Sequence, residues 1–275
     1  MRFFTMANDA RLTDFLRFLQ FFFAFNPEKN LHVIPFDDGF EKISKIINED
    51  ERLIFVPADP GIDSIGQAVY ADEYYRPDVP AWRYFRKFNV FCGHDEPFFF
   101  LDVNSVVLSS WEDEWYFSEI DRNSVYFRGP SAIRRTLPKE HFSLTLTELG
   151  LKSSSGYNMG GFISHGGVFD TALALTLARP ELRKVFGRAP EQAFMALYLG
   201  VFGIDNGLMT SIAPSIRFRY DGGPLVYQDG KTIVGDAPEH IILATKYTGV
   251  DYTPHPREMD EILSQRLSMI GKPRS

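Results

Sequence analysis

The sequence has one cysteine, Cys92, among 275 residues. That excludes an internal disulfide and a cysteine-based zinc site, and it suits a reducing compartment. Basic residues are the minority charge: 29 Lys and Arg against 36 Asp and Glu leave a net charge of −7. Such a chain makes a poor general partner for nucleic acid, and an anionic ligand would need a local cluster of cations. Long apolar runs are missing as well. Phe15 to Phe25 comes nearest, but it includes Arg17 and Gln20 and is too short and too polar to span a bilayer. No basic leader with a small-residue cleavage site opens the chain, and no repeat or low-complexity segment interrupts it. The expectation is a cytoplasmic protein without a transmembrane segment, its most hydrophobic helix in the core. What the chain has in quantity is aromatic surface, 15% of residues with 26 Phe, enough to fill a core and line a pocket.

The stretch that organises the rest is Phe98 to Ser110, FFFLDVNSVVLSS. Four apolar residues run into Asp102, and a second apolar run, Val106 to Leu108, follows. An isolated carboxylate between two β-prone runs is costly to bury unless a cation or hydrogen-bond donors satisfy it. Asp102 therefore reads either as a phosphate, sugar or metal contact at a strand end, or as a turn residue bonding its own backbone.

Around that stretch the pattern alternates. Arg2 to Met6 reads as a strand, with Asp9 placed to cap a helix starting near Ala10. In that helix Leu12, Phe15, Leu16, Leu19, Phe22 and Phe23 form a buried face. Leu31 to Phe36 is a second strand, Phe40 to Asn48 a helix and Leu53 to Val56 a third strand. This is the βαβ rhythm of a parallel sheet covered by helices. Pro57 to Pro80 reads as loop and short helix. Ala81 to Phe91 reads as a helix with Trp82, Phe85, Phe88 and Val90 inward and Arg83, Arg86 and Lys87 elsewhere. Gly160 and Gly161 beside Asn158 suit backbone held close to a ligand, or a bulge. His94 and His165, near glycine turns, read either as acceptor contacts or as structural residues. A helix from Pro190 carries Glu191 in its first turn, where the helix dipole alone favours an acid.

In order and spacing, FFTMANDARLTDFLRFLQFFFAFNP, LHVIPFDDG, YFRKFNVF, FFFLDVNSVVLSS, YNMGGFIS, EQAFMAL and KYTG resemble the nucleotide-sugar glycosyltransferases of GT-A fold. The likeness covers about residues 1 to 250 and is strongest to the retaining, glycogenin-like and galactosyltransferase-like branch. It implies an α/β fold with a mainly parallel central sheet flanked by helices and a smaller antiparallel element. One domain over residues 1–275 is expected: a nucleotide-binding half at 1–110, an acceptor half at 111–220 and a closing segment at 221–275. The implied activity moves a sugar from a nucleotide-diphosphate donor, a UDP-sugar, to a glycan or other hydroxyl acceptor.

The resemblance also implies a site. Thr5, Met6, Ala7 and Asn8 map onto the nucleoside-binding strand and loop, and Asp37 and Asp38 onto the contacts to base or ribose. Arg83 or Lys87 takes the place of the cation facing the donor. Asn158, Gly160 and Gly161 line the donor sugar, and Glu191 and Gln192 stand near the anomeric carbon. The family's Asp-x-Asp, which holds a divalent ion, appears as Asp102-Val103-Asn104. Its closing His-aromatic-x-Gly appears as Lys246-Tyr247-Thr248-Gly249. One carboxylate is lost and one cation gained, so any Mn²⁺ or Mg²⁺ on Asp102 and Asn104 is expected to be weakly held or absent. A protonated Lys246 cannot ligate a metal, but it can sit on a diphosphate. The same two departures suit a second reading, a degenerate nucleotide- or sugar-binding protein on the same fold.

Overall fold

A computed structural model describes residues 1–70, 74–76, 79–108, 110, 120–128, 130–132, 155–157, 159–180, 182, 190–212, 216–219, 225–228, 231–234, 237–238, 240–244 and 256–269. Seven strands make the main sheet: β1 Arg2–Ala7, β2 Leu31–Pro35, β3 Leu53–Phe55, β4 Pro97–Leu101, β6 Ser124–Phe127, β7 Gly161–His165 and β8 Asp205–Leu208. A further strand, β5 Ser105–Val107, leaves it. The sheet order is β8-β6-β7-β4-β1-β2-β3. All neighbouring pairs are parallel except those made by β7, which runs against both β4 and β6. The expected mainly parallel sheet is therefore present, with β7 as the reversed strand. Its start, Gly161, pairs with Leu101 at the end of β4. The carboxyl ends of β1, β2, β4 and β6 and the amino end of β7 consequently share one edge. Open α/β sheets bind ligands outside that edge.

Two helices on the sheet are read differently by sequence and structure. In α1, Leu12–Phe25, the expected inward residue Leu16 is 46% exposed, whereas Phe18, Phe21 and Phe25 are buried. The helix serves two cores. Phe15, Phe18 and Phe22 pack on the main sheet, while Phe21, Ala24 and Phe25 meet Val106, Leu108, Ile262 and Leu263. The last two lie on the C-terminal helix Pro256–Met269. A helix buried on two sides shows no single apolar stripe, which is why a one-face reading misplaces Leu16. Asp9 likewise caps a different helix from the one expected. Its carboxylate accepts from the amides of Lys42 (3.0 Å) and Ile43 (3.1 Å), in the first turn of α2, Glu41–Glu49.

The segment Ala81–Phe91 is a 3-10 helix of eleven residues, far longer than the usual single turn. With about three residues per turn, positions three apart eclipse. Phe85, Phe88 and Phe91 form one buried line, packed on Phe194, Phe169 and Phe98. Arg83, Arg86 and Asn89 form a second, and Tyr84, Lys87 and Val90 a third. Arg86 and Lys87 lie off the aromatic line, as read from sequence, but both are buried. Arg86 makes a forked pair with Asp63 (2.9 and 2.8 Å), and the Asn89 side chain accepts from the Asp59 amide at 2.6 Å. Asp63 lies in α3, Pro60–Tyr70, a full helix where a loop and short helix were expected.

Gly66 is where α3 and the 3-10 helix come closest: a Cβ there would lie 2.6 Å from the Trp82 carbonyl oxygen. Backbone cannot swing aside as a side chain can. Gly66→Ala is expected to destabilise the fold by about 1–3 kcal/mol, as overpacking does. A lowered urea midpoint at unchanged slope checks it.

At the opposite edge of the sheet the Phe4 ring lies between His32 and His94, at 4.7 and 5.6 Å between centroids. The His32 ring also meets the Phe3 carbonyl at 3.2 Å. Burial, assisted by Arg2 and opposed by the Phe3 carbonyl and Glu96, pulls the His32 pKa down to about 4, and burial lowers His94 as well. Unfolded histidine binds its proton near pH 6.5. Between there and pH 4 the unfolded chain holds the extra proton, so stability falls as the pH is lowered through that window. Thermal unfolding followed from pH 7 to pH 4 is expected to show this loss, with a shallower slope in His32→Asn.

Candidate functional site

The Asp102 region is a bend between two sheets. Its amide donates to the Gly160 carbonyl (3.0 Å), and its own carbonyl accepts from Ser105 (2.9 Å). The chain then enters β5, which pairs antiparallel with His240–Ala244, placing Ala244 beside Ser105. The Asp102 side chain is 25% exposed, so the carboxylate has an opening. It is also held: Lys87 Nζ lies 2.9 Å from one of its oxygens and 3.3 Å from the other, with the Lys87 side chain 7% exposed. Lys87 also donates to the Met159 carbonyl at 3.4 Å and stands 5.6 Å from the Phe100 ring centre.

Glu191, 4% exposed, sits in the first turn of the helix Pro190–Phe202. Burial pushes its carboxyl pKa up; the Lys87 cation works against that push, and the Asp102 anion adds to it. Glu191 is thus within electrostatic reach of the Lys87–Asp102 pair. One carboxyl oxygen of Glu191 (Oε2) and the amide oxygen of Gln192 are buried without a hydrogen-bond partner among the described residues.

A second polar cluster covers the ends of β1 and β2. Asn8 donates to Asp37 at 2.6 Å, and Arg83 reaches Asp38 at 2.7 Å and Asp37 at 3.9 Å. Thr5 and Ala7 hold backbone in place. The Thr5 hydroxyl is fully buried on the Leu101 carbonyl (2.7 Å), and the Ala7 carbonyl accepts from the Phe36 amide. Gly160 and Gly161 are buried and pin neighbouring strand ends, with the Arg128 amide donating to the Gly161 carbonyl at 2.9 Å.

Of the residues singled out from sequence, the structure thus gathers Asn8, Asp37, Asp38 and Arg83 in one cluster. It gathers Lys87, Asp102, Gly160 and Glu191, with Gln192, in another. Asn104 follows Asp102 in the same bend and is half-buried. Asn158 and Lys246 lie outside the described residues. His94 and His165 belong to the opposite edge, where the ring nitrogens of His165 meet the carbonyls of Asp95 and Ile120. Sequence reasoning missed Arg128, whose buried guanidinium donates to the Gly160 carbonyl at 3.4 Å. Its signal was a lone Arg directly after the short strand Ser124–Phe127.

A divalent ion does not fit these residues as they stand. Asp102 already has a cation at both oxygens, and position 104 supplies a neutral amide. Like unit charges about 4 Å apart repel by roughly 4 kcal/mol at an effective dielectric near 20, and a divalent ion doubles that. Among the described residues no group of three His, Cys, Asp or Glu is placed to hold a metal.

No family model and no curated sequence matches the chain. Solved structures do. The galactosyltransferase LgtC, in complex with donor and acceptor sugar analogues, is 12% identical; the match covers 100% of this chain and 98% of LgtC at a TM-score of 0.56. A second LgtC structure, of an active-site mutant, gives 11% identity and a TM-score of 0.57. The fold is GT-A. The glycosyltransferase GlyE of Streptococcus pneumoniae TIGR4 shares it at 12% identity and a TM-score of 0.54, and this chain spans 64% of GlyE's length. On a GT-A sheet the edge carrying Asp102 is continuous with the cluster at Asn8, so both candidate clusters open on one side. Among the described residues no helix is long and apolar enough to cross a membrane.

Proposed function

We propose that the protein is a glycosyltransferase that moves a sugar from a nucleotide-diphosphate donor, a UDP-sugar, to a hydroxyl of a glycan-type acceptor. The observation that carries this reading is the pair of buried acceptors without a partner among the described residues, Glu191 Oε2, within electrostatic reach of Lys87 and Asp102, and Gln192 Oε1 on the next residue. An unsatisfied buried acceptor costs about 1–3 kcal/mol. Two together suit a ligand rich in hydroxyl donors, as a sugar is. The GT-A architecture and the cluster at Asn8, Asp37, Asp38 and Arg83 supply the rest of a donor cleft, with Asn8 and Asp37 at the nucleoside.

In the transfer, the bond between the anomeric carbon and the diphosphate oxygen breaks and a bond to the acceptor oxygen forms. The acceptor hydroxyl gives up its proton as it attacks, and the departing diphosphate oxygen takes it up. Negative charge grows on the departing phosphate and positive charge on the anomeric carbon, as in glycoside hydrolysis. Lys87 is the fixed cation for the first, with Asp102 positioning its ammonium. Glu191 and Gln192 face the second. Lys246, two residues beyond Ala244 in sequence, is a further candidate cation.

The test is incubation with a panel of UDP- and GDP-sugars, following donor hydrolysis and transfer. Turnover of one donor is expected. Nucleotide binding without turnover of any donor would instead favour the degenerate binding protein.

A further inference from the structure

The geometry points to a donor site that takes a nucleoside diphosphate without a divalent cation, because the Lys87 ammonium occupies the place at Asp102 that an ion would need. The inference rests on the donor-site reading above and narrows it. Three observations converge. Lys87 Nζ meets both Asp102 oxygens, at 2.9 and 3.3 Å, as an ion bound to that carboxylate would. The ammonium is not a passing contact: it is buried, seated on the Met159 carbonyl and near the face of Phe100, and its stem is fixed by the 3-10 helix. Asn104, where a second anionic ligand would be needed, is uncharged.

The charge balance follows. A divalent ion binds tightly where carboxylates outnumber cations around it. At this bend one carboxylate and one ammonium already cancel, and the next carboxyl, on Glu191, is pushed toward its neutral form by burial. An incoming ion would find no net negative charge among these groups and would have to displace a buried lysine from Asp102. Asp102 is then a positioning residue for Lys87 rather than a metal ligand.

The experiment is calorimetry of UDP and of GDP binding to the full chain, once with EDTA and once with Mn²⁺, beside electron paramagnetic resonance of added Mn²⁺. Binding of one nucleotide is expected in EDTA, with Mn²⁺ changing its affinity by less than about tenfold, or 1.4 kcal/mol. The Mn²⁺ signal should remain that of the free ion. The double variant Lys87→Met, Asn104→Asp removes the cation and restores the second carboxylate. It is expected to take up Mn²⁺ at concentrations where the natural chain does not, with circular dichroism to confirm that it folds. Nucleotide affinity that rises more than about tenfold with Mn²⁺, or Mn²⁺ uptake by the natural chain, overturns the inference and leaves the donor site standing. Absence of nucleotide binding in both arms overturns the donor-site reading itself, and this inference with it.

Discussion

Lys87→Met is expected to slow donor turnover by about 10²–10³ and to weaken the fold at the same time. The substitution leaves the Asp102 carboxylate facing a thioether stem, its partner at 2.9 Å gone. Breaking a fully buried ion pair costs about 3–5 kcal/mol. Asp102 is 25% exposed, so water recovers part of that loss, and roughly 2–3 kcal/mol is the expected destabilisation. The effect on catalysis is larger than stability explains. Removing one preorganised group that meets the charge developing in a transition state costs about 10²–10³ in kcat. Measured below the melting temperature of the variant, kcat is expected to fall by that factor while KM for the donor changes less. Lys87→Arg should not rescue it, because a guanidinium fork does not fit the space of a compact ammonium between Asp102 and the Met159 carbonyl. A kcat within tenfold of the natural chain would make Lys87 a structural partner of Asp102 only.

The alternation of strands and helices over the first hundred residues was legible because each element carries its own signal. Leu31–Pro35 and Leu53–Phe55 are short apolar runs bounded by turn residues, and Glu41–Glu49 repeats Ile at helical spacing. Asp102 was legible because a carboxylate between apolar runs has few explanations. What could not be read was geometry set by tertiary packing. The segment Ala81–Phe91 looks like any amphipathic helix until it is noticed that Trp82, Phe85, Phe88 and Phe91 recur strictly every third residue, the period of a 3-10 helix rather than an α-helix. That period turns Arg86 and Lys87 inward, and nothing local says which acids will meet them. Asp63 and Asp102 lie 23 and 15 residues away. The capping role of Asp9 failed for the same reason, since its true partners are 33 and 34 residues on.

Glu191→Gln should make the protein more stable and less active. The glutamate is buried, and burial raises its carboxyl pKa above the ordinary value. The folded state therefore holds a proton that the unfolded chain has already released. Stability from this group is full below about pH 4.5, the unfolded value, and is lost as the pH rises through the folded one. An amide of the same shape carries no such loss, so the variant is expected to gain about 1 kcal/mol at neutral pH, the size of common stabilising changes at strained functional positions. The sign opposes that of His32, whose contribution disappears on acidification. Above pH 4.5 and up to 6.5 the two contributions oppose each other in the natural protein, so Glu191→Gln should steepen the rise of stability with pH in that window. Activity moves the other way: a neutral amide cannot match positive charge at the anomeric carbon as a carboxyl that ionises on demand can, and a loss of about 10² in kcat is expected. Thermal unfolding from pH 4 to 8 beside donor hydrolysis at each pH separates the two effects. A variant that is stabilised but fully active would assign Glu191 to the helix terminus alone, where the dipole favours an acid without any sugar nearby.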